Sequence, residues 1–117
     1  MNNQQLARYG EKLAVEFLMS NGLKIIEVNY RCKLGEIDII AREKGVIVFC
    51  EVKTRKNKNI VHPFSSITTK KLYTISKVAH FFILTNHLEN RDYRIDAIAV
   101  YFEKENPRIK WIKNCTY

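Results

Sequence analysis

The sequence predicts an α/β fold in which a mixed sheet of four or five strands is flanked by two helices. Two segments carry apolar residues at helical spacing, and five shorter segments are rich in β-branched and aromatic residues. The segments follow one another in the order α-β-β-β-α-β-β. A hairpin followed by a helical crossover requires both antiparallel and parallel strand pairs. At 117 residues the chain suits a single domain, which we expect to span residues 1–117.

The first element is a helix, predicted over residues 3–21. Apolar residues recur on one face of it, and Asn21 with Gly22 is a pair typical of a helix C-terminus. The apolar stripe consists of Leu6, Gly10, Leu13, Ala14, Phe17 and Leu18. Glu11 lies beside this stripe, and spacing alone indicates an ordinary solvated glutamate.

A strand and a hairpin follow the helix. Residues 24–31 have the composition of a strand, and residues 32–35 that of a turn. Two β-branched runs, residues 37–41 and 46–50, then flank a polar turn that ends in Lys44 and Gly45. This pattern predicts an antiparallel hairpin with Lys44 and Gly45 as its loop.

The hairpin carries acidic residues inside or beside its apolar runs, where burial of an unpaired charge is costly. With the short loop, Asp38 lies opposite Glu51 and Glu36 lies opposite Lys53, so all four share one sheet face. Such a group suits Mg²⁺, which takes oxygen ligands and usually only one or two protein carboxylates. It also suits a cross-strand salt bridge between Glu36 and Lys53, with Asp38 and Glu51 solvated. Spacing alone leaves both interpretations open.

Basic residues follow closely after Lys53, at the end of the second strand of the hairpin. Residues 54–64 are rich in charge and turn formers and are predicted to form a loop that contains Arg55, Lys56 and Lys58. Charge runs of this kind usually serve solubility alone. Their position beside the carboxylates also suits a phosphodiester substrate, which needs cationic contacts.

The second helix is predicted from Ser65 or Ser66 to Thr85, with one of these serines or Thr68 as its N-cap. Its buried stripe consists of Ile67, Leu72, Ile75, Val78, Ala79, Phe82 and Ile83. Lys70 and Lys71 lie mainly off this stripe. Spacing alone indicates a solvated helix face for both lysines.

Two strands complete the chain. Residues 93–102 predict a central strand that contains Asp96. We interpret Asp96 either as a residue that supports the site from outside the catalytic set or as a structural residue, paired with Arg94 or with a lysine. Residues 108–114 predict a short last strand. Its Trp111 is expected to cover the core or the sheet edge and not to stack on a base.

Composition favours a polyanionic partner. The formal net charge is +8, which suits nucleic acid or an anionic membrane surface. The basic residues are spread over loops and strands, which disfavours the membrane. The N-terminal residues do not resemble a signal peptide, and no apolar run approaches the ~20 residues that span a bilayer. The cysteines 32, 50 and 115 match no metal-ligand or disulfide spacing, so we expect free thiols in the cytoplasm.

Several segments together resemble a known family. Asp38, a following strand and then Glu51, Val52 and Lys53 resemble the PD-(D/E)xK signature of restriction-endonuclease-like nucleases. Over nearly the whole chain the wider motifs are similar to the bacterial YraN family, which is related in fold to archaeal Holliday-junction resolvases. The motifs are Arg8-Tyr9-Gly10-Glu11 with Ala14, Asn29-Tyr30-Arg31, Gly35-Glu36-Ile37-Asp38, and Phe49-Cys50-Glu51-Val52-Lys53-Thr54-Arg55. Cys50 stands where that family more often has valine.

The resemblance implies a restriction-endonuclease-like fold and a nuclease that depends on Mg²⁺ or Mn²⁺. The catalytic set would be Glu11, Asp38, Glu51 and Lys53, and the metal ligands would be Glu11, Asp38, Glu51 and the carbonyl of Val52. Lys53 would hold the attacking water or the scissile phosphate. Glu36 would have a supporting role.

The expected partner is DNA, including branched or junction DNA, and a homodimer would match the symmetry of a four-way junction. The residues expected to contact nucleic acid are Arg55, Lys56, Lys58, Lys70 and Lys71. The resemblance implies such a contact for Lys70 or Lys71, because a basic residue at the start of this helix can approach the site. The alternative is a non-enzymatic module that binds nucleic acid or protein and retains a nuclease fold.

Overall fold

The computed structural model describes residues 1–56, 68–103 and 106–115, which form one five-stranded sheet with a helix on each face. The elements are α1 (Asn3–Ser20), β1 (Lys24–Cys32), β2 (Gly35–Glu43), β3 (Val46–Arg55), α2 (Thr69–Thr85), β4 (Tyr93–Glu103) and β5 (Asn106–Ile112). The strands lie in the order β1-β2-β3-β4-β5. Among these five described strands, only β3 and β4 pair in parallel, because α2 separates them along the chain. The predicted mixed sheet with two helices is confirmed.

Helix α1 begins and ends at side chains that satisfy its free backbone groups. The Asn2 side chain accepts from the Gln5 N–H while the Gln5 side chain accepts from the Asn2 N–H, which forms a capping box. At the other end the Asn21 side chain donates to the Phe17 carbonyl. The buried face of α1 packs on one side of the sheet against apolar residues of β2, β3 and β4.

Helix α2 covers the opposite side of the sheet. Its N-cap is Thr68, whose hydroxyl accepts from the Lys71 N–H, as one of the predicted alternatives had it. The other proposed starts, Ser65 and Ser66, lie outside the described residues, as does Ile67. The remaining predicted stripe residues are all buried against β2, β3 and β4.

The interior strand β4 and the edge strand β5 agree with prediction. Asp96 is fully buried and accepts from Arg94, from the Trp111 indole N–H and from the Asn114 backbone N–H, which agrees with the structural one of its two expected roles. Trp111 also packs edge-on against Phe17 of α1 and covers the core there. Within the described part of the chain, neither helix is long and apolar enough to cross a membrane.

Candidate active site

The site begins where β2 and β3 separate. The two strands pair in the predicted register from Glu43 opposite Val46 to Ile39 opposite Cys50, and the pairing ends there. Beyond that point the Val52 N–H donates to the Asp38 carboxylate, at 2.7 Å. The predicted register is therefore confirmed from the turn to Ile39 and Cys50. Beyond these residues, where the prediction put Asp38 opposite Glu51, the strands are not paired and the Asp38 side chain accepts the Val52 N–H.

The strands β1 and β2 both change face at this level. Ile37 packs under α2, whereas Ile39, two residues on, packs under α1. The partner of Asp38 in the register would be Asn29, which has a positive φ of 53° and is skipped by the pairing. Strict alternation therefore does not hold through Asp38, so the prediction that alternation puts Glu36 and Asp38 on one face rests on a pattern that is broken here. Asp38 lies between Ile37 and Ile39, where the side chains of β2 switch from the α2 face of the sheet to the α1 face.

On the α2 side, a buried glutamate faces two lysines. Glu51 is only 7% exposed, and its Oε1 lies 3.6 Å from the Lys53 Nζ and 3.8 Å from the Lys71 Nζ. Lys71 therefore approaches the site. The only side-chain contact described near Lys70 is to its backbone carbonyl, which accepts from the Thr74 hydroxyl.

The salt bridge between Glu36 and Lys53, the simpler interpretation of the hairpin charges, does not form. Glu36 accepts from Arg31 on β1 at 2.6 Å, and both side chains are well exposed. Lys53 lies against Glu51 on its own strand instead. Glu36 remains close enough to raise the pKa of Asp38. Glu36 therefore acts on the site through its charge and lies outside the buried centre.

Both central carboxylates are less acidic than usual. Burial raises the pKa of Asp38 and outweighs the hydrogen bond from Val52, while Glu36 adds repulsion and Lys71 and Lys53 oppose it. Burial also raises the pKa of Glu51, and the charge of Asp38 raises it further against the attraction of the two lysines. Two desolvated carboxylates that repel each other would both be stabilised by a cation placed between them.

On the α1 side, Glu11 faces a cavity of about 200 Å³ that Asp38 also lines. Burial raises the pKa of Glu11, and repulsion from Asp38 and Glu36 adds to it. The side chain of Asn29 opposes the shift through a hydrogen bond to Glu11. Glu11 is thus electrostatically coupled to Asp38, in agreement with its expected place near the site.

Two glycines allow the helices to approach the strands of the site. A Cβ at Gly10 would collide with the side chain of Thr54 on β3, so α1 can lie this close only with glycine there. A Cβ at Gly35 would lie 3.1 Å from Thr74 and 3.2 Å from Val78 of α2, and its φ of +148° also favours glycine. Both glycines precede acidic residues in the chain, and they set the depth of the site.

Two of the expected basic residues lie beyond the carboxylates at the end of β3. Arg55 and Lys56 line a second pocket, together with Thr54 and residues of the first two turns of α1. Arg55 donates to the carbonyl of its neighbour Thr54. Lys58 lies outside the described residues.

Cys50 is buried on the α1 side, opposite the face of Glu51, as expected from alternation on β3.

The donor set fits a Mg²⁺ or Mn²⁺ ion held by few protein ligands. In the described ranges, no three His, Cys, Asp or Glu side chains are grouped tightly enough to hold a metal among themselves. Mg²⁺ usually needs only one or two carboxylates and completes its shell with other oxygens. The N–H and C=O of a strand residue point to the same side, so the Val52 carbonyl points toward β2, as its N–H does. Asp38, Glu51 and this carbonyl are the oxygens available.

Sequence reasoning assigned no role to three residues of the site. Asn29 contacts Glu11 and has the positive φ at the face change; an asparagine within a β-branched strand was the available signal, because asparagine tolerates this conformation. Arg8 and Lys12 line the cavity beside Glu11. They share a helix face at a spacing of four residues, and this was visible but not used.

The comparisons with known proteins agree with the sequence motifs. The model of the uncharacterised protein family UPF0102 matches residues 10–100. A UPF0102 protein of Clostridioides difficile is 46% identical over 114 residues, which cover 97% of this chain and 98% of that protein. Others include one from Caldicellulosiruptor bescii, 45% identical over 91% of this chain and 90% of its own, and one from Dictyoglomus turgidum, 35% identical over 95% and 94%. None of these descriptions names an activity.

Proposed function

This chain belongs to the uncharacterised protein family UPF0102, the YraN family of its motifs, and we propose that it is a metal-dependent nuclease acting on DNA phosphodiesters. One observation carries the proposal. Asp38 is half-buried and Glu51 is buried, burial raises the pKa of both carboxyl groups, the charge of Asp38 raises the pKa of Glu51 further, and Lys53 lies beside Glu51. Carboxylates in such an environment are costly to the fold and occur mainly at functional sites.

The metal would be Mg²⁺ or Mn²⁺, held by Asp38, Glu51 and the carbonyl of Val52. Glu11 would complete the site directly or through water, since its charge is coupled to Asp38. The bound ion would supply Lewis acidity, which lowers the pKa of a coordinated water and stabilises charge on the phosphate.

The lysines would orient the substrate. Lys53 is 21% exposed and touches Glu51 on the α2 side, so it can reach a water or a phosphate oxygen at the mouth of the site. Lys71 is 44% exposed and approaches the same glutamate from α2. Once a metal neutralises Glu51, both ammonium groups would be free to hold the scissile phosphate.

The nucleic-acid surface would extend from the site over the neighbouring basic residues. The net charge of +8 favours binding to a polyanion. The proposed contacts are Arg55, Lys56, Lys58, Lys70 and Lys71. Branched or junction DNA is the substrate class that we favour, with a two-fold homodimer for symmetrical junctions. The free cysteines suit the cytoplasm, where we propose that the protein acts.

A second candidate is a nucleic-acid-binding module without catalysis. It is favoured by the absence, among the residues that the structure describes, of three ligating side chains in one group. The two candidates differ in a single property: the binding module would hold DNA with or without divalent metal, and it would release no product.

The test is a cleavage screen of branched, single-stranded and duplex DNA with Mg²⁺, Mn²⁺ or EDTA. We expect metal-dependent products from the wild type. We expect losses of about 10²–10³-fold or more in rate for Asp38→Asn, Glu51→Gln and Lys53→Ala, since each removes a group placed at the reaction centre. Lys110→Gln is the matched control, because Lys110 is exposed on β5. Cleavage that persists in Asp38→Asn would reject this site as the source of the activity.

A further inference from the structure

The α1 side of the site carries two cations that the proposed reaction does not use. We infer that Arg8 and Lys12 form a subsite for one phosphodiester group of the nucleic-acid backbone, adjacent to the scissile position and without contact to a base. This inference deepens the proposed function and rests on it. It assigns to α1 a share in substrate recognition.

The placement of the two side chains comes from helix geometry. Arg8 and Lys12 are four residues apart and therefore lie on one face of α1, one turn from each other. Both line the cavity of about 200 Å³ whose other polar lining residues are Glu11, Asn29 and Asp38. Asp38 is also the carboxylate that accepts from Val52 at the separation of β2 and β3. The two cations therefore share a cavity with Glu11 and Asp38, two of the proposed metal ligands.

Their charges are not neutralised by the protein. Across residues 1–56, 68–103 and 106–115, neither Arg8 nor Lys12 forms an ion pair, although Glu11 is three residues from one and adjacent to the other. Two like charges at this helical spacing repel each other, at a cost of about 0.2–0.5 kcal/mol. An anion bound between them would remove that repulsion. The acidic side chains that line the same cavity, Glu11 and Asp38, would repel the anion and so keep it near the two cations.

The size and lining of the cavity point to a phosphate and exclude a base. Pockets that enclose small molecules are typically about 300–1,000 Å³, larger than this one. Its apolar wall consists of Val15, Val28 and Ile39, and no aromatic ring lines it. Proteins that hold unstacked bases do so on aromatic rings. The nearest aromatic side chain in sequence, Tyr9, is stacked on Phe102.

The subsite and the proposed reaction centre lie on the two sides of Asp38. Lys53 and Lys71 approach from the α2 side, and Arg8 and Lys12 approach from the α1 side. A backbone held by both pairs would pass over Asp38, with successive phosphates on either side. Recognition of this kind depends on backbone charge and not on sequence.

The experiment measures binding in EDTA, so that no cleavage occurs. Two fluorescent oligonucleotides of equal length are used, one of mixed sequence and one with abasic sites throughout, and anisotropy is followed against salt. We expect Arg8→Gln/Lys12→Gln to bind both probes about tenfold more weakly and to lower the salt slope by about 1. Arg91→Gln/Lys110→Gln removes the same two charge types at exposed positions elsewhere and should bind as the wild type does.

A third variant separates charge from local structure. Arg8→Lys/Lys12→Arg keeps both charges and should retain wild-type affinity and salt slope. The inference is overturned if the double glutamine variant loses no more than its control, if the exchange variant loses as much, or if the loss is confined to the mixed-sequence probe. Failure of the proposed function is separate, because a wild type that binds through this subsite but cuts no DNA would fail only in the cleavage screen.

Discussion

The β2–β3 hairpin carries acidic residues at both ends, and the two ends differ in how the protein compensates their charge. At the turn end, Glu43 lies 2.8 Å from the Arg94 guanidinium, which also donates to Asp96. At the open end, Asp38 accepts the Val52 N–H, and the ion-pair partners of Glu51 among the described residues are two lysines, whose Nζ atoms lie 3.6 and 3.8 Å from its Oε1.

The difference is visible in the direction of the pKa shifts. The hydrogen bond from Arg94 is the largest of the effects that lower the pKa of Glu43. Burial is the largest of those that raise the pKa of Glu51. The charge of Glu43 at the turn end therefore stabilises the fold, whereas the charge of Glu51 at the open end destabilises it. A carboxylate whose pKa is lowered by a guanidinium partner is typical of a structural ion pair, whereas a buried carboxylate whose pKa is raised is typical of a functional site.

The largest expected effect is on the compensated end. Asp96→Asn should lower the free energy of unfolding by about 3–5 kcal/mol, because it removes a fully buried charge that pairs with the half-buried Arg94. It also places an amide donor among the three groups that donate to Asp96. Urea unfolding measures the change, with Glu51→Gln as the buried-carboxylate control. Equal losses in both variants would remove the distinction between the two ends.

The next effect concerns metal and belongs to the open end alone. A ligand that binds only the folded state at about 100 times its Kd stabilises by about 2.7 kcal/mol. We expect added Mg²⁺ to raise the Tm of the wild type and of Lys53→Ala. Asp38→Asn and Glu51→Gln should lose this rise, because each removes a proposed ligand.

Glu43→Gln is the matched control for the metal effect, since it changes a carboxylate at the other end of the same hairpin. It should retain the rise in Tm. A rise of equal size in Asp38→Asn would show that Mg²⁺ acts elsewhere on the protein.

The comparison also explains which features could be predicted from sequence. Periodicity and β-branched runs predicted all seven elements, and a lysine–glycine loop predicted the register next to the turn. The continuous strand pairing that the sequence predicts ends at Asp38. Sequence rules assume continuous strand pairing in which side chains alternate between the two sheet faces. Here the Asp38 carboxylate accepts a hydrogen bond from the Val52 N–H, and the alternation is interrupted at Asn29.

The partners of the charged residues were predictable only in part. Arg94 was one of two partners predicted for Asp96, the other being a lysine, and the structure shows the pair with Arg94. The choice of Lys71 over Lys70 depends on the rotation of α2 above the sheet, which spacing does not determine. The spacing of Arg8 and Lys12 puts them on one face of α1. The cavity that they line is built from α1, β1 and β2 together, so it cannot be predicted from the helix alone.

The smallest effect is also the most direct comparison of the two ends, because it uses the same substitution at each. Glu43 has a lowered folded-state pKa, so its contribution is present above the unfolded value near 4.5 and is lost as the pH falls through the folded value. Glu43→Gln should therefore cost at most about 1 kcal/mol at neutral pH. That part of its cost should disappear in acid.

Glu51 has a raised folded-state pKa, so the opposite sign applies. Its carboxyl is uncharged and harmless below 4.5, and the fold loses stability as the pH rises from there through the folded value. Glu51→Gln should thus be at least as stable as the wild type at neutral pH without metal, by up to about 1 kcal/mol, and should lose this advantage in acid. Urea unfolding from acid to neutral pH, on both variants and the wild type, gives two difference curves. Curves that slope in the same direction would show that the two ends are compensated alike and would remove the energetic basis for a cation site at Asp38 and Glu51.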